Sequence, residues 1–286
     1  MINFKRSIFA ALAIITVSGV ALALGPAPYP TGPVEFPEYE IEEGTVRPGE
    51  RLVYEYSWNG IRAAEVEIEV KDDPDRPGWM CAKGVGRTVG APRYIYRAED
   101  SVEACMKKDT MKSDEYSIRI RESLDYYDMK VEFDREDMVA HRVKHYRTRK
   151  TTKDFTFRNA YDPVSAAALL RSLPWEVGDK RQFEVIDGNE RWLIIFEAVE
   201  EADVTVKAGT FRCLKMQPSA FEMPKREREE PPGYWEKLAQ EEKGLVARMT
   251  SFTLWMAKDP PRPFVSARSD VFFGHVDMEL IEIKTP

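Results

Sequence analysis

Residues 51–70 read RLVYEYSWNGIRAAEVEIEV. Leu52, Tyr54 and Tyr56 alternate with Val53, Glu55 and Ser57. Beyond Asn59 and Gly60, small or apolar residues from Ala64 to Val70 alternate with Glu65, Glu67 and Glu69. A period of two sends successive side chains to opposite faces of a strand, and Asn-Gly suits the tight turn of a two-residue hairpin. The stretch predicts an antiparallel hairpin with one face on a core and one in water.

Outward from this hairpin the same pattern recurs. After the turn residues 73–78 (DPDRPG), strands are predicted over Trp79 to Thr88, Tyr94 to Ala98, Glu115 to Glu122, Tyr126 to Asp134 and Met138 to Arg147. The pattern breaks at Asp162-Pro163-Val164-Ser165, where Asp162 can cap and Pro163 can open a short helix carrying Ala166 to Arg171. Strands resume at Arg181 to Ile186 and, after Asp187-Gly188-Asn189, at Arg191 to Val199. Val204 to Lys207, Phe211 to Gln217, Val246 to Trp255, Phe264 to Arg268 and Val276 to Lys284 complete the list. Between Met223 and Gly244 charge becomes dense around Tyr234-Trp235, which reads as a surface insertion with a short amphipathic helix. No fixed internal period points to a propeller or solenoid. The predicted fold is mostly β: a strongly curved antiparallel sheet or open β-barrel with one short internal helix, able to shelter a ligand in its concavity.

The N-terminus carries an export signature. Lys5 and Arg6 precede an apolar run from Ile8 to Leu24 that ends in Ala21-Leu22-Ala23, and Gly25, Pro26, Pro28 and Pro30 then oppose further helix. Residues 1–23 are expected to be a signal peptide cleaved after Ala23, with retention as a membrane anchor as the alternative. Residues 24–49 read as a Pro/Gly-rich leader and 50–286 as one domain. The expected location is the periplasm or the exterior. The net charge of −7 argues against a generic attraction to nucleic acid or anionic headgroups, and the basic run from Lys144 to Lys153 reads as a solvated face. Of the three cysteines, Cys81 and Cys105 lie in neighbouring segments and are the plausible disulfide, while Cys213 sits in an apolar run as a buried thiol.

Few residues invite a chemical role. His141 and His145 share a face, but Arg142, Lys144, Arg147 and Arg149 oppose a cation there, so no metal site is assigned. His275 has no serine or cysteine partner fixed by the sequence, and Ser165 sits where serine serves a helix end. No catalytic residue is assigned and no cofactor is expected. Trp255 precedes Asp259, Pro261, Arg262 and Pro263 in a rigid connection, for which an Asp259–Arg262 ion pair is the structural reading. The functional reading places Trp58, Arg171, Trp255, Asp259 and Arg262 around the open end of the barrel, facing a ligand headgroup or peptide.

Several of these pieces together resemble the bacterial family of unknown function DUF3108. They are residues 52–61 (LVYEYSWNGI) with Ala63-Ala64-Glu65, then Asp162 to Ser165 with Leu170-Arg171, Gly178, Asp187-Gly188 and residues 208–213 (AGTFRC). Trp255 with Asp259, Arg262 and Pro263, and Gly274 ahead of Leu280, complete the set. The departures are the 223–244 insertion and Ala64, where such proteins often carry glycine. The resemblance implies an exported envelope protein with a curved sheet or barrel and supplies no catalytic residues. The leading expectation is a non-enzymatic protein that binds a lipid-like apolar or amphipathic ligand, or assists envelope assembly with a protein partner. A hydrolase of polysaccharide or ester is one alternative, and a scaffold using the insertion is another.

Overall fold

In the computed structural model the chain is described at residue 30 and over 34–123, 125–227, 229–242, 252–270 and 274–286. The expected signal peptide, most of residues 24–33 and the start of the Val246–Trp255 strand lie outside these residues. The quoted stretch forms β1 (Arg51–Trp58) and β2 (Ile61–Asp72), paired antiparallel from Arg51↔Glu69 to Trp58↔Ile61. Asn59 and Gly60 both take positive φ, 49° and 78°, as the two-residue turn requires.

The meander continues through β3 (Trp79–Thr88), β4 (Glu99–Lys107), β5 (Ser113–Arg121), β6 (Tyr126–Asp134), β7 (Val139–Tyr146) and β8 (Arg149–Thr156). A two-residue β9 (Ala160–Tyr161) and helix α1 (Pro163–Ser172) follow. Then come β10 (Lys180–Ile186), β11 (Arg191–Val206), β12 (Gly209–Glu222), helix α2 (Tyr234–Glu242), β13 (Phe252–Ala257), β14 (Phe264–Asp270) and β15 (His275–Lys284). All fifteen strands form one sheet in the order β8-β7-β6-β5-β4-β3-β2-β1-β15-β14-β13-β12-β11-β10-β9. The late strands therefore return to β1 through β15, with Leu52 opposite Ile283 and Trp58 opposite Val276.

The sheet curls without closing its ladder. Its two free edges, β8 and β9, are consecutive in the chain, and the β10–β11 turn packs across the concavity so that Gly188 lies against Met129 and Val131 of β6. Inside the curl, Leu52, Tyr54, Tyr56, Val66, Met80, Met106, Tyr116 and Phe155 meet Leu169 and Leu170 of α1 and Leu173 just beyond it in one core. The helix holds this position through a capping box. The Asp162 carboxylate accepts from the Val164 and Ser165 amides at 2.8 and 3.1 Å, while the Ser165 hydroxyl accepts from the Asp162 amide at 3.0 Å. Such a cap contributes about 1 kcal/mol.

Several expectations are corrected. The predicted strand Tyr94–Ala98 is mostly irregular: Tyr94 ends a 3-10 turn, Ala91–Tyr94, only Ala98 pairs, as an isolated bridge to Glu122, and the full strand β4 begins after it. The basic run from Lys144 to Lys153 is a solvated face with no buried residue, and its second half forms β8, an edge strand whose Lys150, Lys153 and Asp154 discourage pairing with another chain. Val204–Lys207 is no separate strand, because β11 runs through 16 residues past a register shift between Ala198 and Glu200. The leader is part of the fold from residue 34 onward. Val34 and Val46 are buried, the Tyr39 hydroxyl bonds the Gln182 backbone, and the Asn159 amide donates to the carbonyls of Phe36 and Pro37. The insertion is likewise docked, with Trp235 of α2 buried against Val34, Leu193, Phe221 and Met223 on the outer face of β11 and β12.

Candidate functional site

Under α1, against the concave face of β1 to β4, a cavity of about 90 Å3 is left unfilled. Its walls are apolar: Leu52, Tyr56, Val66 and Val102 from the sheet face Val164 and Ala168 from the helix. The small residues Ala167 and Ala168 on α1, and Ala82 and Gly84 on β3, leave the space open. Three side chains with polar atoms line it, Tyr54, Tyr56 and Arg171, and Tyr54 and Arg171 are set beside further polar groups.

Tyr54 and Arg171 mark a polar pole. Arg171 at the last turn of α1 is buried, and its guanidinium pairs with Glu50 at 2.5 Å while donating to the carbonyls of Pro261 at 2.8 Å and Arg262 at 3.1 Å. Glu50 spends only one oxygen on that pair; Oε2 is buried with no partner, and so is the Tyr54 hydroxyl. Burial pushes the Tyr54 phenol well above its ordinary pKa, with Arg171 opposing and Glu50 reinforcing, so it stays a neutral donor. A buried hydroxyl and a carboxylate oxygen left unsatisfied cost about 1–3 kcal/mol each, a cost that a bound polar group or water removes.

Arg262 forms the outer wall of this pole. Its guanidinium bonds Glu42 at 2.6 Å, the Lys258 carbonyl at 2.9 Å and the Arg171 carbonyl at 3.5 Å. The expected Asp259–Arg262 ion pair is not made. The two meet only through the backbone, Arg262 N–H to Asp259 carbonyl at 3.0 Å, because the left-handed Arg262, φ 49°, turns its side chain back toward Glu42. The connection contains a cis Pro260–Pro261 peptide.

The five residues expected around one mouth thus separate. Arg171 and Arg262 come together. Trp255 lies on the outer face of β13, where it borders a groove with Glu55, Arg268, Asp277 and Glu279. Trp58 packs toward the core from the far end of β1, roughly 25 Å along the strand from Glu50 at about 3.3 Å per residue. Asp259 contributes its carbonyl. Sequence reasoning missed Tyr54 and Glu50. Tyr54 was visible as an inward position, but the partner of Glu50 lies 121 residues away and nothing local announces it.

The remaining candidates have structural settings. His141 Nδ1 lies 2.9 Å from Asp154 on exposed strands, and His275 Nε2 lies 3.2 Å from Asp277. Cys81 and Cys105 face each other across β3 and β4 and are joined as a disulfide. Asp73 is the third member of the one cluster of potential metal ligands among the described residues, and the disulfide occupies both of its sulfurs. Cys213 is buried, and burial pushes its thiol up to about 12, which suppresses the reactive thiolate.

Fold and cavity together define a class: an open, curled antiparallel sheet plugged by one helix, with an apolar hollow beneath that helix and a buried polar pole. The chain belongs to the family described as protein of unknown function DUF3108, whose model matches residues 53–281. Among solved structures it is similar to the β-barrel-like protein of domain of unknown function DUF1849 from Brucella abortus. That match has a TM-score of 0.48 and 8% identity, covering 82% of this chain and 96% of the other. It is also similar to a presumed lipoprotein from Parabacteroides distasonis, with a TM-score of 0.34 and 12% identity, covering 87% and 97% of the two chains. No curated protein matches the sequence.

Proposed function

We propose that this is an exported, non-enzymatic binding protein of the bacterial envelope, whose cavity under α1 receives the apolar part of a small amphipathic ligand. The observation that carries the reading is the pairing of an apolar hollow with the unpartnered Tyr54 hydroxyl and Glu50 Oε2 beside Arg171. A ligand with a hydrocarbon portion and a polar head that both donates and accepts would fill the one and satisfy the other. Apolar cavities of about 150 Å3 accept a guest the size of benzene, so a short hydrocarbon segment is the fitting scale. The residues that line the cavity include no histidine, serine or cysteine, and the Glu50 carboxylate of the polar pole is tied to Arg171, which favours holding a ligand over breaking a bond. Trp235 is already used on the chain's own sheet, which weakens the scaffold alternative for the 223–244 segment. Export rests on the charged and apolar segment at residues 1–23 and agrees with a Cys81–Cys105 disulfide.

Native mass spectrometry of the protein taken from its own compartment, followed by organic extraction, tests this reading. The expected result is a reproducible amphipathic adduct that is lost in Ala167→Leu, which fills the cavity, and weakened in Tyr54→Phe. A clean mass, combined with no thermal stabilisation by fatty acid or lysophospholipid, would overturn it.

A further inference from the structure

The β1–β2, β3–β4, β5–β6 and β7–β8 connections all lie at one end of the meander, because consecutive strands are antiparallel. With neighbouring strands about 4.8 Å apart, these turns follow one another along a rim at intervals of about 10 Å. The rim exposes large apolar and aromatic side chains: Ile61 at 54%, Tyr94 at 93%, Ile95 at 90% and Tyr126 at 50%. Tyr94 and Ile95 sit at the tip of the 3-10 turn, next to Arg93 and Arg97.

Charge on this rim runs opposite to that of the chain. Residues 89–98 contain Arg93 and Arg97 and no acid, and residues 144–150 contain Lys144, Arg147, Arg149 and Lys150 and no acid. Of the acids nearby, Glu122 accepts from the Tyr96 hydroxyl and Asp128 pairs with Arg121 at 2.6 Å, while Asp125 in the β5–β6 turn is exposed and offsets one of the rim's cations. Cations also stack on the rim tyrosines, Arg121 over Tyr126 at 3.9 Å and Lys144 over Tyr127 at 3.5 Å. The opposite turns, 73–78, 108–112 and 135–138, are near balance, with Asp73, Asp75, Asp109, Glu136 and Asp137 set against Arg76, Lys108, Lys112 and Arg135, and expose no comparable apolar side chain among the described residues.

Tyrosines and isoleucines standing out of a basic border match the chemistry of the headgroup layer, where amphipathic rings settle and cations meet lipid phosphates. We propose that this rim docks the protein on an anionic lipid surface, with Tyr94 and Ile95 entering the headgroup region and Arg93, Arg97, Arg149 and Lys150 pairing with phosphates. A chain of net charge −7 is repelled by such a surface in most orientations. Docking is therefore end-on, with the strands standing away from the bilayer.

The N-terminal apolar run can itself partition into lipid, so the test reads the rim directly. A nitrobenzoxadiazole probe is placed on the full chain at Ile95→Cys, or for comparison at Asp75→Cys on the opposite end, and mixed with phosphatidylcholine vesicles with or without phosphatidylglycerol. The expected result is a blue shift at position 95 alone and only with the anionic lipid. It should fade as salt is raised, with apparent affinity falling roughly fivefold for each of Arg93→Gln, Arg149→Gln and Lys150→Gln. The proposal is overturned by an unshifted probe at 95, by equal shifts on neutral vesicles, by shifts at both positions, or by a signal that survives high salt. A flat response combined with an envelope protein retained by the wild type and lost on Tyr94→Ser assigns the rim to a protein partner instead.

Discussion

Among single residues, Asp100 at the start of β4 makes the sharpest physical statement. Its carboxyl accepts from the Arg121 amide at 2.8 Å, yet burial, with the neighbouring Glu122 carboxylate adding to it, pushes it up to about 7. In the unfolded chain an aspartate titrates near 4. The folded state thus holds this proton more tightly, and the stability it contributes is complete below about pH 4 and lost as pH rises through about 7. Asp100→Asn has no proton to lose. Its stability relative to wild type should increase by on the order of 2 kcal/mol between pH 4.5 and 8, allowing for partial exposure. Urea titrations of both proteins at the two pH values measure this, and an unchanging difference would show that the carboxyl is not shifted. Nothing in the sequence around Glu99-Asp100 signals such a group, because its environment is set by burial and by Arg121 and Glu122 at the end of the neighbouring strand β5.

At the scale of elements, helix α2 shows what alternation captures and what it overlooks. β1, β2 and β6 are legible in the sequence because one face is wet, and α1 is legible because Asp162, Pro163 and Ser165 write its start. β11 carries Trp192-Leu193-Ile194-Ile195-Phe196, apolar on both faces, which is the pattern of a strand covered on both sides. The inner face meets the core, and the outer face is covered by residues 34–36 and by Trp235, whose ring lies 6.1 Å from Phe221 and 5.0 Å from Tyr234. The run therefore held the information that something docks there, but not which segment, since the cover comes from both ends of the chain. Because this small cluster is separate from the main core, Trp235→Ala should release α2 without unfolding the sheet. Trypsin is expected to cut several-fold faster between Lys225 and Lys237 while the global unfolding midpoint hardly moves. Equal cleavage rates in mutant and wild type would mean that α2 is held by something other than Trp235.

For the whole molecule, the question is what keeps a fifteen-stranded sheet curled when β8 and β9 do not close it with ladder bonds. Contact order explains why the sequence is silent here: the strand pattern specifies a meander, whereas the seam is made by residues far apart in the chain. At the seam lies an ion pair with no exposed surface, Arg191 to Glu184 at 2.6 Å. The other Glu184 oxygen accepts the amides of Arg158 and Asn159 at 2.9 and 2.8 Å, and Arg191 donates to the carbonyls of Pro224 and Glu227. One pair thus joins the β8–β9 link, β10, β11 and the segment after β12, assisted by the Thr156 amide on the Lys225 carbonyl at 3.0 Å. Glu184→Gln leaves the Arg191 charge buried without its counter-ion and should cost about 3–5 kcal/mol, whereas Glu184→Leu with Arg191→Leu removes both charges and should recover much of that loss. The double variant still lacks acceptors for the Arg158 and Asn159 amides and donors for Pro224 and Glu227. Its recovered stability should therefore come with a loosened seam. Hydrogen exchange separates these effects: amides at 156–159 and 223–227 should exchange faster in the double variant, while those of β1 to β5 keep their protection. If all regions loosened together, the curl would be held by the core under α1 and not by the clasp.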